Sequence, residues 1–266
     1  MKLGISLDVG SWILELLSAF MNDAPEFQPY CLPHLTVIFL TIVLPFALAA
    51  VVRRTRSQRL EKIITGVLSA VLILNYVIYL MFISSRGVVA WQQLLPMQLC
   101  DWGMIVVIVA MCTGNQRWFE VAYFWGIGGT LQAVLTPNLR FGFPDWRFIS
   151  FFTSHSGIIV GVVFLMLTRR YRPYPMSFVR VWLWTEFYFV VTLIVDELTG
   201  VNYGFLRHKP EAFSILSFLS DSRPLYLLEL HGVALLFFLV LYVPFAIVDL
   251  ATGKSLRNAG KQEATL

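Results

Sequence analysis

Seven apolar runs, each close to the length of a bilayer's hydrocarbon core, dictate what this chain can fold into. They cover residues 34–52, 63–83, 96–113, 118–136, 148–168, 178–197 and 225–249. A helix needs about 20 mostly apolar residues to cross that core, and lipid-exposed loops or open sheet edges cannot do so. The fold class is therefore all-α, a polytopic membrane bundle of about seven transmembrane helices. Only 14% of the residues are charged, against roughly 25% in a soluble domain. The third run is the shortest, so it is expected to be tilted or partly embedded. No run shows the break that would expose backbone to a substrate, as in ion-coupled transporters.

Residues 1–32 form an N-terminal interfacial segment. Its mixed stretch, Ser11 to Met21, is too short to span. With only Lys2 ahead of it, it makes no convincing cleavable signal. Residues 33–250 are the transmembrane domain, and 251–266 a cytoplasmic tail. The sequence pI is near 9.0, but the basic residues sit in short loops between apolar runs, so they read as topology signals and not as a nucleic-acid face. Thirteen Lys and Arg fall on one side, including Arg53, Arg54, Arg169, Arg170 and Arg172, and seven on the other. Positive-inside places the thirteen in the cytoplasm, the N-terminus outside and the C-terminus inside a cell membrane.

That orientation assigns depths. Gln98, Cys100 and Asp101 lie in the outer turns of the third run, and Gln132 near the outer end of the fourth. Ser154, His155 and Ser156 fall about two turns into the fifth. Asp196 and Glu197 end the sixth, ahead of Asn202, Tyr203 and Arg207, while Glu229 and His231 open the seventh. Asn75 and Tyr76 belong to the outer half of the second. The inner halves are almost bare. Charged groups cost about 2.5–3.5 kcal/mol at a helix centre, so a shared polar layer at one depth predicts a pocket open to the outer leaflet.

The candidate nucleophiles in that layer are Cys100, Ser154 and Ser156. The candidate bases are His155 and His231, and the candidate orienting carboxylates are Asp101, Asp196, Glu197 and Glu229. A Cys–His pair is a minimal covalent catalyst: the thiolate attacks a carbonyl while the imidazole takes and returns the proton. At leaflet depth the carbonyls within reach are those of phospholipid esters. The blander readings are that Cys100 packs as a small apolar residue, that it pairs with Cys31 in a disulfide, and that His155 makes an interhelical hydrogen bond. Arg207, His208 and Lys209 read first as a solvated loop. No metal-ligand spacing is present, and no cofactor is called for.

Leu95-Pro96-Met97-Gln98-Leu99-Cys100-Asp101, then Phe119 to Gly126 with Gly129, Gln132 and Thr136-Pro137, resemble the YwaF-type integral membrane family of bacteria. So do Phe143-Pro144, Phe151-Phe152 leading to Ser154-His155, Asn202-Tyr203, and Leu206 to Pro210. The match runs from about Trp91 to Phe245. That family is similar to eukaryotic multi-pass acyltransferases that move fatty acyl chains between phospholipids through a cysteine with a histidine partner. The resemblance implies Cys100 as acyl acceptor and His155 as general base. Gln98 stands where the bacterial pattern often has histidine, and its amide or that of Gln132 could support an oxyanion. The leading expectation is a membrane-embedded lipid acyltransferase or lipid-ester hydrolase with membrane phospholipid as substrate. In support would stand Gln98, Asp101, Gln132, Asp196, Asn202, Tyr203, Arg207, Glu229 and His231. The alternative is a non-catalytic membrane binding protein or transporter for a lipid or small molecule.

Overall fold

A computed structural model of the protein describes residues 25–85, 90–210 and 214–252. The expected interfacial stretch Ser11 to Met21 and most of the tail lie outside the described residues. Seven long helices follow in order: α1 Leu32–Thr55, α2 Gln58–Ser85, α3 Leu99–Thr113, α4 Gln116–Leu135, α5 Trp146–Arg169, α6 Pro175–Thr199 and α7 Arg223–Ala251. Their limits are written locally. Asn115 and Asp145 accept hydrogen bonds from the backbone N–H groups of Arg117 and Arg147, which opens α4 and α5. Gly114, at φ +63°, and Gly200, at φ +77°, turn the chain out of α3 and α6 in the left-handed conformation that glycine tolerates best.

Among the described residues, six segments are apolar and long enough to face lipid, and α4 is not one of them. Its 20 residues still reach about 30 Å. The difference is burial: every residue from Phe119 to Gly126 is enclosed by protein. A central helix meets side chains and not lipid, so it carries Gln116 and Glu120 where an outer helix could not. Helices α3 and α5 flank it, with Val107, Met111, Ile158 and Val162 in the shared core. On the outer helices, Leu40, Val67, Leu74, Val190, Leu236 and Val240 are exposed, as a bilayer solvent allows.

The third run departs from expectation. Its helical part has only 15 residues, and before it the chain forms a short 3₁₀ turn, Trp91–Leu94, and then an extended stretch to Gln98. The helix thus begins three residues into the expected run and is continuous from there. Irregular backbone at this depth is tolerated where it is buried in protein or lines a cavity, and this stretch lines one.

The opposite end, where the basic loops gather, is not bare either. Glu120 accepts from Arg180 Nη2 at 2.7 Å and from Nε at 3.0 Å. Glu61 pairs with Arg169, and Asp249 accepts from Arg172 Nη1 at 2.8 Å. These pairs tie α4 to α6, α2 to α5, and the α5–α6 loop to α7.

The core of the bundle depends on close approach. A Cβ built on Gly126 would lie 2.9 Å from Ile158 Cγ2 and 3.3 Å from Val162 Cγ2. Both are stiff β-branched side chains. Gly126→Val is therefore expected to cost about 1–3 kcal/mol through overpacking, read as a lowered midpoint in thermal unfolding of the detergent-solubilised protein.

Candidate functional site

A cavity of about 560 Å³ opens at the end of the bundle away from the basic loops. Its walls come from the last turns of α2, the non-helical segment with the first turns of α3, and the first turns of α5. Cys100, Asp101 and Gln98 enter from one side, His155, Ser154 and Arg147 from another, and Tyr203 from the loop after α6. Thus Cys100 and His155, 55 residues apart in the chain, line one space.

Cys100 stands in the first turn of α3, where the leading N–H groups have no carbonyl within the helix. Asp101 Oδ2 accepts from the backbone N–H of Gln98 at 3.1 Å and so holds the helix start closed. His155 Nδ1 lies 2.7 Å from the carbonyl oxygen of Phe151, one turn earlier in α5. A carbonyl can only accept, so Nδ1 carries the proton and Nε2 keeps its lone pair. The Phe151 ring stacks on the imidazole with centroids 4.2 Å apart. This histidine is oriented by its own helix and not by Asp196 or Glu229.

The other candidate nucleophiles are engaged or turned away. Ser154 Oγ accepts from Asn75 Nδ2 at 2.7 Å. Ser156 accepts from Thr41 Oγ1 at 2.7 Å, and with Thr41 it lines an apolar groove on the other face of α5. Cys31, Cys100 and Cys112 are all free thiols, so Cys31 does not block Cys100.

Tyr203 is seated by a strap that uses several of the expected residues. The buried Asp196 accepts from the Tyr203 N–H at 2.8 Å through Oδ1. Arg207 Nη1 donates to the Asp196 carbonyl oxygen at 3.0 Å, and Asn202 Oδ1 accepts from the Arg207 N–H at 2.9 Å. Gln98 Oε1 accepts from the Gly204 N–H at 3.2 Å, where a Cβ would lie 2.8 Å from Tyr188 Oη. Burial raises the Tyr203 pKa, which keeps its hydroxyl a neutral donor to the Gln92 carbonyl. Asp196, Asn202 and Arg207 therefore shape the site from behind it. Loss of the Tyr203 donor in Tyr203→Phe is expected to cost about 0.5–1.5 kcal/mol and to speed amide hydrogen exchange in residues 91–98.

Three expected site residues lie elsewhere. Gln132 is exposed and donates to Thr136 Oγ1 at 3.2 Å. Glu229 accepts from the Ser220 N–H at 2.6 Å. His231 lies between the Leu227 carbonyl and Glu186, 3.4 Å away through Nε2, with its ring against Phe189. The basic knot is bound within its own loop: Lys209 pairs with Asp221, holding that carboxyl below its ordinary pKa, and His208 bonds to Asn202. Glu197 pairs with Arg223.

Sequence reasoning missed Tyr79, Trp146 and Arg147 as cavity residues. The Asp145 cap that starts α5 turns Trp146 and Arg147 onto the cavity wall. Among the described residues, no group of three His, Cys, Asp or Glu side chains could hold a metal ion.

A bundle of long apolar helices around a cavity of mixed polar and apolar lining defines a multi-pass integral membrane protein. Residues 29–242 match the model of the TMEM164 family, and the chain belongs to that family. No curated protein and no solved structure matches it.

Proposed function

We propose that the protein is a lipid acyltransferase of the cell membrane, working through a thioester on Cys100 with His155 as proton shuttle, and that its cavity faces the outer leaflet. The observation that carries this reading is the convergence of the two side chains on one cavity, with Nε2 of His155 left as the basic nitrogen. The resemblance to YwaF-type proteins, and through them to cysteine-dependent phospholipid acyltransferases, supports it, as does the excess of basic residues at the far end of the bundle.

In the first half-reaction the Cys100 thiol gives its proton to His155 Nε2, and Sγ attacks the ester carbonyl of a donor phospholipid. The C–O bond of the tetrahedral adduct breaks, and the leaving lipid alkoxide takes the proton from the imidazolium. In the second, an acceptor hydroxyl gives its proton to His155 Nε2 and attacks the thioester. The C–S bond breaks and the thiolate recovers the proton. Water as acceptor turns the same chemistry into ester hydrolysis. The N–H groups in the first turn of α3 would be the donors for the oxyanion. Gln98 already holds Gly204 through Oε1, so its part is to brace the strap.

The second reading, a non-catalytic lipid-binding protein, draws on the non-helical segment ahead of α3, which exposes Leu95 to the cavity. Acyl exchange separates the two. Purified full-length protein in proteoliposomes, given a donor phospholipid with an isotope-labelled acyl chain and an unlabelled lysophospholipid, should move the label to the acceptor. Lipid that binds without any label moving or being released would select the binding reading.

A further inference from the structure

Glu186 and His231 form a pair that the cavity does not use. Eleven residues of α6 precede Glu186 and thirteen follow it, so it stands near the middle of the membrane. Depth read from the neighbouring helix agrees. Glu197 and Arg223 tie α6 to α7 at the cavity end of the bundle, and Glu186 and His231 lie eleven and eight residues further in, about 16 and 12 Å along the two helix axes. Ionisable side chains at that depth nearly always point into a bundle or a water-filled cavity. This pair faces outward. The Glu186 side chain is 35% exposed and that of His231 27%, beside the exposed Leu183, Phe187 and Val190 of α6 and Leu228 and Leu236 of α7. The next residue of α7, Gly232, is also exposed, and a Cβ built on it would meet nothing within 4 Å. Glycine is a poor helix former, but here it leaves a notch where a second backbone can come close.

A single proton sits between the two halves of the pair. His231 Nδ1 lies 2.6 Å from the Leu227 carbonyl oxygen and so carries a proton, while Nε2 stands 3.4 Å from Glu186 Oε2. Two lone pairs cannot bond, so one further proton lies between Nε2 and Oε2, and the pair is neutral overall. Among the described residues nothing donates to the other oxygen, Glu186 Oε1. We propose that the face around Glu186, His231 and Gly232 docks a transmembrane helix of a partner protein that carries an amide side chain, Asn or Gln, at mid-membrane. Such a side chain donates to Oε1 without adding charge, whereas Lys or Arg would bring an unbalanced cation to the centre of the bilayer. A second copy of this chain is the poorer occupant. Around the pair it offers apolar side chains, and the proton of its own pair is already engaged. With a partner helix in place the pair points into the interior of an assembly, as intramembrane ionisable groups do. The proposal goes beyond acyl transfer and does not depend on it, since neither residue lines the cavity.

The test places the full-length protein, labelled with a donor fluorophore, in phosphatidylcholine proteoliposomes. Acceptor-labelled leucine–alanine transmembrane peptides of about 20 residues, with Asn, Lys or Leu at the centre, are titrated into the same bilayer. Energy transfer should show the Asn peptide associating at least about threefold more tightly than the Leu peptide, the scale of one interhelical hydrogen bond. Glu186→Leu should bring the two to equality, and Gly232→Ile should weaken both by filling the notch. Where Glu186→Leu fails to fold, Gly232→Ile carries the test, because it leaves the pair intact and should still lose the Asn peptide. Equal association of the Asn and Leu peptides with the wild type would overturn the docking face and leave acyl transfer standing. A Lys peptide that binds more tightly than the Asn peptide would overturn the choice of a neutral donor. Energy transfer between two labelled copies of the protein, lost in Glu186→Leu, would make the second copy the occupant and overturn the partner.

Discussion

Cys100→Ser is expected to lower acyl transfer by at least about 10³-fold, the scale of removing a nucleophile from a working catalytic pair. The change replaces one atom by a smaller one in the first turn of α3, so the fold has little reason to respond. A serine hydroxyl is intrinsically a weaker nucleophile than a cysteine thiol. His155→Ala should cost about 10²–10⁴-fold, the usual share of a general base. The double variant should be little worse than Cys100→Ser, because the two residues serve one proton transfer. Label-exchange rates in proteoliposomes, beside thermal midpoints for each variant, check this. A serine variant that keeps its rate would remove Cys100 from the chemistry.

Arg180→Met should be the most damaging single change to stability. Glu120 is 1% exposed in the second turn of the central helix, and Arg180 reaches it from α6 with two hydrogen bonds. Removing the cation leaves a buried carboxylate held by Gln116 Nε2 at 3.2 Å. Breaking a buried pair from one side costs about 3–5 kcal/mol. Exchanging both partners, Glu120→Gln with Arg180→Met, should recover much of that loss, since no charge then remains enclosed. Unfolding midpoints in one detergent for wild type, single and double variants give the comparison. A double variant as unstable as Arg180→Met would show that the packing of the arginine stem, and not the charge, carries the effect.

Depth along each helix was legible in the sequence; azimuth was not. Counting residues from a run's end placed Cys100, His155, Glu229 and His231 at similar levels, and the structure keeps all four near one end of the bundle. Only Cys100 and His155 face the cavity. In a soluble helix the polar face reveals which way the rest points, but here lipid and protein interior are both apolar, so periodicity carries little of that information. Two residues in α5 show the consequence. Ser154 and Ser156 are two residues apart and equal in chemistry, yet one lines the cavity that holds Cys100 and the other the apolar groove behind it. The non-helical segment before α3 was hidden for a related reason. Pro96 and Met97 are apolar enough to count in the run, and composition alone does not record where helical hydrogen bonding begins. Glu120 stayed unread as a buried group because its partner, Arg180, lies 60 residues away in the chain.

The measurement closest to the central claim is the intact mass of the purified protein after incubation with phospholipid, and again after hydroxylamine. Acyl transfer through Cys100 predicts one added acyl chain, mapped to Cys100, released by hydroxylamine, and missing in Cys100→Ser and His155→Ala. An unmodified mass with every phospholipid supplied, while Cys100 still reacts with a small alkylating agent, would contradict it.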